Sequence, residues 1–140
     1  MKLFSLACFL ILNTATFAWA HGEDKPGPHG GHVQMPGGFH TELMLDEKQD
    51  AHIFLLDMEF KNPTVKDSKI EMKAVAGKKE VPFTCSVMGG NHFHCVASQK
   101  YSKKAELRIK ATRENAVGNE VTYKLPLKEF KENKDAHSGH

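Results

Sequence analysis

Long apolar runs are scarce in this chain. Only Leu3 to Leu12 approaches one, and Ser5 interrupts it. Nothing after it is apolar enough to cross a bilayer, because a spanning helix needs about 20 such residues. Charge of one sign is lacking too. The 19 Lys and Arg are interspersed with 17 Asp and Glu, which excludes the basic field that nucleic acid demands. There is no phosphate loop, nucleophile elbow or HExxH, and the scattered Ser, His and Asp residues give no reason to assemble a triad, so the chain reads as a non-enzyme. Amphipathic helical segments and internal repeats are missing as well. Cysteine is rare, with three residues, and Cys8 falls inside the first apolar run.

That run explains itself as a secretion leader. Lys2 supplies the positive start, the apolar stretch is too short for a permanent span, and Ala18-Trp19-Ala20 presents small residues at a cleavage point. Residues 1–20 are therefore expected to leave with Cys8, and the mature chain to begin at His21. Loss of Lys2 lowers the formal charge from +2 to +1. The remaining length, about 120 residues, suits one domain with a modest core. The compartment is then the periplasm or the cell exterior, where the remaining pair Cys85 and Cys95 favours a disulfide.

The texture of the mature chain changes at residue 39. Residues 21–38, HGEDKPGPHGGHVQMPGG, hold little to bury and read as a flexible His/Gly/Pro-rich arm. Beyond them short segments alternate apolar and polar residues with period 2, the mark of half-buried strands. Ile70, Met72 and Ala74 alternate with Glu71 and Lys73. Val81 to Met88, Ala105 to Ala111 and Val121 to Leu127 follow the same rule. Segments 39–46 and 51–60 add two strands around a polar turn. The second has apolar residues on both faces at Ile53-Phe54-Leu55-Leu56, as a central strand would. With 92–98 the count is seven. The fold class predicted is all-β: a seven-stranded antiparallel immunoglobulin-like β-sandwich over 39–127, followed by a loose charged tail over 128–140.

Between the cysteines, Gly89-Gly90-Asn91 suits a tight hairpin turn. A three-residue loop opposes Met88 to His92 and Cys85 to Cys95. The cysteines then share the core-facing side with Val87 and Phe93, in bridging range if they form a non-hydrogen-bonded pair. Ser86, Met88, His92 and His94 occupy the other side. A thioether with two imidazoles suits Cu(I), and imidazole also suits Cu(II) or Zn(II). Free cysteines at the same positions would instead be metal ligands, the alternative to the disulfide.

Eight of the nine histidines crowd the two ends and that hairpin, His52 being the exception. An N-terminal His21 chelates through its α-amine and imidazole together, and His29 and His32 can add ligands. A Gly/Pro-rich arm argues against the rigid site of a histidine-brace copper oxidoreductase. His40, Glu42 and Met44 share one strand face, and His52 joins them if the intervening turn has an odd number of residues. They form a weaker second metal set.

At His29-Gly30-Gly31-His32, Phe39-His40-Thr41-Glu42-Leu43-Met44-Leu45 and Ile53-Phe54-Leu55-Leu56-Asp57, the chain resembles the small β-rich domain of periplasmic adaptor subunits of heavy-metal efflux systems and of related standalone exported proteins. There a His-Gly-Gly precedes a His-x-Glu strand and a strand ending in Leu-Asp or Leu-x-Asp. The resemblance covers roughly residues 29–60 and carries over to His29, His40, Glu42 and Asp57. It implies a β-sandwich, a setting in metal homeostasis and an efflux component as partner. The chain has no helical hairpin or membrane-fusion segment, so it is not itself an adaptor. A mature N-terminal His is also shared with copper-resistance sandwiches, whose first strand follows more closely.

Together these readings predict an exported soluble carrier or buffer of a transition metal, copper first and zinc second. The alternative is an immunoglobulin-like interaction module with incidental histidines.

Overall fold

In a computed structural model of the chain, residues 25–130 are described. Period-2 alternation becomes antiparallel strands throughout, and no helix occurs among the described residues. Among the described residues the strands number nine rather than seven. They are β1 (His32–Gln34), β2 (His40–Leu45), β3 (Ala51–Leu56), β4 (Lys69–Ala76), β5 (Lys79–Met88), β6 (His92–Ala97), β7 (Glu106–Arg113), β8 (Ala116–Val117) and β9 (Val121–Lys124). Their order is β1-β2-β3-β6-β5-β4-β7-β8, with β9 also paired to β7. The two additional strands, β1 and β8, are too short to carry a legible period.

A single long strand joins the two halves. Lys79 to Pro82 pair with β4, while Phe83 to Met88 pair with β6. Pro82 has no N–H to give a ladder and stands where the partner changes. Its carbonyl instead accepts from the Ser98 amide at 2.9 Å. The outer edges then approach each other, leaving a nearly closed, barrel-like sheet. Gln34 Nε2 donates to Thr122 O at 2.6 Å, and Asn119 N donates to Pro36 O at 2.8 Å. Tyr123 donates its hydroxyl to Thr41 O at 3.0 Å and accepts from the Thr41 hydroxyl at 2.8 Å. Burial pushes the Tyr123 phenol well above its ordinary value, so it stays a neutral donor.

Leu43, Ile53, Leu55, Leu107 and Ile109 have no solvent exposure and fill the interior. Each such side chain contributes about 1.5–3 kcal/mol by leaving water. The expected two-sided burial of β3 is present, since Phe54 and Leu56 are also buried. The cover on that outer side comes from the segment expected to be a flexible arm. Its described part, residues 25–38, is packed: Val33 and Pro36 are buried, and a Cβ at Gly27 or Gly31 would run into the Glu42 side chain. Glycine was a sign here of close approach rather than of freedom. Phe130, placed by sequence in the loose tail, stacks on His32 with ring centroids 4.4 Å apart.

The strand expected over 51–60 ends at Leu56. Asp57 Oδ1 there accepts from the amides of Glu59 (3.0 Å) and Lys61 (2.8 Å), folding a turn with Phe60 at φ 61°. A carboxylate that satisfies two amides out-competes continued pairing.

The cysteine hairpin has the expected register, with Met88 opposite His92 and Cys85 opposite Cys95. Gly89 and Gly90 take φ 60° and 71° in the turn. Cys85 and Cys95 form a disulfide, with Cα atoms 4.0 Å apart, so neither offers a thiolate to a metal. Phe93 is buried beside them, but Val87 is 55% exposed, contrary to its expected place in the core. Beyond Pro82 the strand has parted from β4, and residues 86–90 at its tip are exposed.

Candidate metal centre

Four strands bring one row of side chains together on the outer face. Met44 lies opposite His52, His52 opposite His94, and His94 opposite Ser86. The odd-numbered turn 46–50 required for His52 to share the face of His40, Glu42 and Met44 is the one observed, because Leu45 pairs with Ala51. The β3–β6 pairing then sets two imidazoles from distant parts of the chain side by side.

The turn above them supplies carboxylates. Asp46 Oδ1 accepts from the amides of Lys48 (2.9 Å) and Asp50 (3.0 Å), while Gln49 takes φ 67°. This fixes the Asp46 side chain and leaves Oδ2 directed at the histidines. Asp46 Oδ2 is 3.5 Å from His52 Nε2, and Asp50 Oδ2 is 3.4 Å from His94 Nε2. Burial acts most strongly on the Asp46 carboxyl, upward, but the two amides and the His52 ring together outweigh it and hold the group below its ordinary value. Tyr101 pins the turn by donating to Gln49 O at 2.7 Å. Burial, with Asp50 and Asp46 nearby, pushes its phenol up to about 12, so it remains a donor.

Asp46, His52 and His94 each offer one ligand atom, all within 4.8 Å of one another. Donors about 2.0–2.1 Å from a tetrahedral ion stand roughly 3.3 Å apart, so closure on a cation is a small contraction. The three side chains are partly exposed, which gives an ion access from solvent.

The other sequence-predicted ligands divide. His92 adjoins the centre: its Nε2 is 3.2 Å from His52 Nδ1 and its Nδ1 is 2.8 Å from Asn91 Oδ1. Burial, followed by the neighbouring His52, His29 and His94, lowers the His92 imidazole from its ordinary value. Met88 lies opposite His92 on β5 and is 40% exposed. His29 is held elsewhere, by Glu42, and its ring stacks on Phe54, which also stacks against His92 (centroids 3.7 and 4.6 Å). His40 is buried, with Nδ1 2.9 Å from Asp57 O and its ring on Phe60, a packing role. His32 alternates to the side of Leu43, opposite to that of Glu42, against Phe130. His29, His32 and His40 are thus not gathered with His92 and His94. His21 lies outside the described residues, as do His137 and His140.

Asp46 and Asp50 were absent from the ligand set read from sequence. The available signal was Asp46-x-x-x-Asp50-x-His52, with aspartates at both ends of a five-residue turn. The four positions singled out by the family resemblance fall into two contacts, His29 with Glu42 and His40 with the Asp57 backbone. No family model, curated protein or solved structure matches the chain.

Proposed function

We propose that this protein binds a divalent transition metal at Asp46, His52 and His94 and acts as its carrier or buffer in an exported setting. The observation that carries this reading is the convergence of three donor atoms from β3, β6 and the β2–β3 turn within 4.8 Å. Two imidazoles and a carboxylate suit Cu(II), Zn(II) and Ni(II), and Cu(II) stands highest in intrinsic affinity for such nitrogen and oxygen donors. Copper therefore comes first and zinc second. Asp50 beside His94 adds negative charge that favours a cation. Partial exposure suits an ion that is taken up and passed on, to a metal-efflux component by the resemblance of residues 29–60. Cu(I) is served by the softer set of Met88, His92 and His94 on the same face.

Metal titration against a competing chelator tests the reading. Stoichiometric Cu(II) or Zn(II) binding that His52→Ala with His94→Ala removes is expected. Equal binding by wild type and double variant would overturn it. The second reading, an interaction module with incidental histidines, draws on Val87, Met88 and Val96, which leave large apolar surface exposed on the β5–β6 hairpin. Absence of metal binding together with a specific protein partner favours it.

A further inference from the structure

We propose that Asp50 is the fourth ligand of the metal centre, so that Asp46, Asp50, His52 and His94 enclose a divalent ion as a neutral, four-coordinate complex. The inference rests on the metal-binding reading and adds to it the coordination number and the charge class of the ion.

Each carboxylate of the turn faces one imidazole. Asp46 Oδ2 is 3.5 Å from His52 Nε2, and Asp50 Oδ2 is 3.4 Å from His94 Nε2. Where an imidazole and a carboxylate bond directly in this chain, His29 with Glu42, the distance is 2.7 Å. Charge-assisted N–H···O bonds lie at about 2.7–2.9 Å, and both pairs at the centre are longer. They match instead the edge of a tetrahedron, roughly 3.3 Å, whose donors stand about 2.0–2.1 Å from an ion. The two edges share no corner, so together they supply all four. Asp46, His52 and His94 are already within 4.8 Å of one another.

The turn sets Asp50 for this use. Asp50 N donates to Asp46 Oδ1, and Asp46 N donates to Asp50 O, both at 3.0 Å. Asp50 thus gives the turn only its backbone. Its carboxylate is left to His94, yet is just 19% exposed. A largely covered anion is complemented by a cation beside it. Charge selects which cation. Imidazole coordinates as a neutral ligand, so the two carboxylates cancel a divalent ion, whereas a monovalent one leaves a negative charge in excess. Four protein donors also leave no position for water, as in sites that hold a metal without catalysing a reaction.

Pulsed EPR of the Cu(II)-loaded full chain in deuterated water reads water bound in the equatorial plane of the ion. The signal is referred to His52→Ala with His94→Ala, which lacks the centre but keeps the His21 arm. No strongly coupled deuterons are expected in wild type, and their appearance is expected in Asp50→Ala. Strongly coupled deuterons in wild type, or none gained in Asp50→Ala, overturn the proposal. Zn(II) titration gives a second readout. Loss of an outer-shell partner costs about 10–100-fold in affinity, and Asp50→Ala should exceed that range. A loss within or below it places Asp50 outside the coordination sphere and overturns the proposal. Cu(I) affinity should fall by less than Zn(II) affinity; an equal fall overturns the divalent preference. Should Asp50→Ala not fold, Asp50→Asn keeps the side-chain shape, and unchanged Zn(II) affinity in it overturns the proposal. Wild type that binds neither Cu(II) nor Zn(II) at the centre overturns the metal reading together with this one, whereas bound ion with equatorial water overturns this one alone.

Discussion

The carboxylate of Glu42 is fully buried and lies 2.7 Å from His29 Nδ1. Its other oxygen accepts from the amides of His29 (2.8 Å) and Gly31 (2.9 Å). The His29-Gly30-Gly31 turn is therefore built around a strand carboxylate. Gly30 takes φ 84° within it, and no buried side-chain polar atom among the described residues lacks a partner. The pair explains why the arm is packed, and it gives His29 a structural duty separate from the metal centre.

Glu42→Ala is expected to destabilise the protein by about 3 kcal/mol, since it strands an imidazole and two amides beneath the turn. Denaturant unfolding measures this. Zn(II) affinity of the folded variant should stay within about threefold of wild type, because the Glu42 carboxylate is occupied by His29 and the Gly31 amide. A large loss of affinity would place Glu42 in the site.

The Cys85–Cys95 bridge spans a sequence separation of 10. Closing so short a loop stabilises by about 2–3 kcal/mol in the chain-entropy account. Cys85→Ala with Cys95→Ala should lower stability by that amount or somewhat more, because Cys95 is fully buried and its replacement leaves a void. Thiol counting on denatured, unreduced wild type should find no thiol from this pair.

Histidines outside the centre provide the control for metal binding. His32→Ala and His40→Ala are expected to leave Cu(II) affinity unaltered, although His40→Ala should cost stability by opening the contact with Phe60. Met88→Leu should weaken Cu(I) and spare Cu(II), since only the thioether is lost. The proposed His21 amine–imidazole chelate requires cleavage after Ala20, and removing residues 21–24 from the chain so cleaved deletes it. Loss of one Cu(II) equivalent with Asp46, His52 and His94 intact is the outcome expected if both sites operate.

Acid should lower stability in two steps. Burial lowers the His32 imidazole from its ordinary 6.5 in the folded state, so the unfolded chain takes up a proton first as pH falls. Stability from this group is complete above about 6.5, falls as pH drops below it, and levels off once the folded group also titrates. Asp57 acts lower. The Lys61 amide, followed by the Asn62 side chain and the Glu59 amide, outweighs burial and holds its carboxyl below the ordinary 3.8. Its contribution is present above about 3.8 and vanishes as pH falls through the depressed folded value. Thermal unfolding of metal-free protein between pH 8 and 3 should show both steps, and His32→Phe should shrink the first, which the His92 imidazole, lowered chiefly by burial, shares.

Local alternation was enough to identify seven of the nine described strands and the polar turns between them, because side-chain direction reverses at every residue of a strand. The turn Gly89-Gly90-Asn91 likewise dictated register, and with it the Cys85–Cys95 bridge and the opposition of Met88 and His92. What lies between non-consecutive strands follows another physics. The meeting of His52 with His94 depends on β3 pairing with β6, about 40 residues away, a choice made by burial of the shared interior. The same holds for the packed arm, whose glycines look like freedom in sequence and prove to be clearance for Glu42. Asp46 became a ligand candidate through one hydrogen-bonded turn that occupied Oδ1 and left Oδ2 facing the imidazoles. Short-range periodicity thus specified the longer strands, and long-range burial assembled the centre from them.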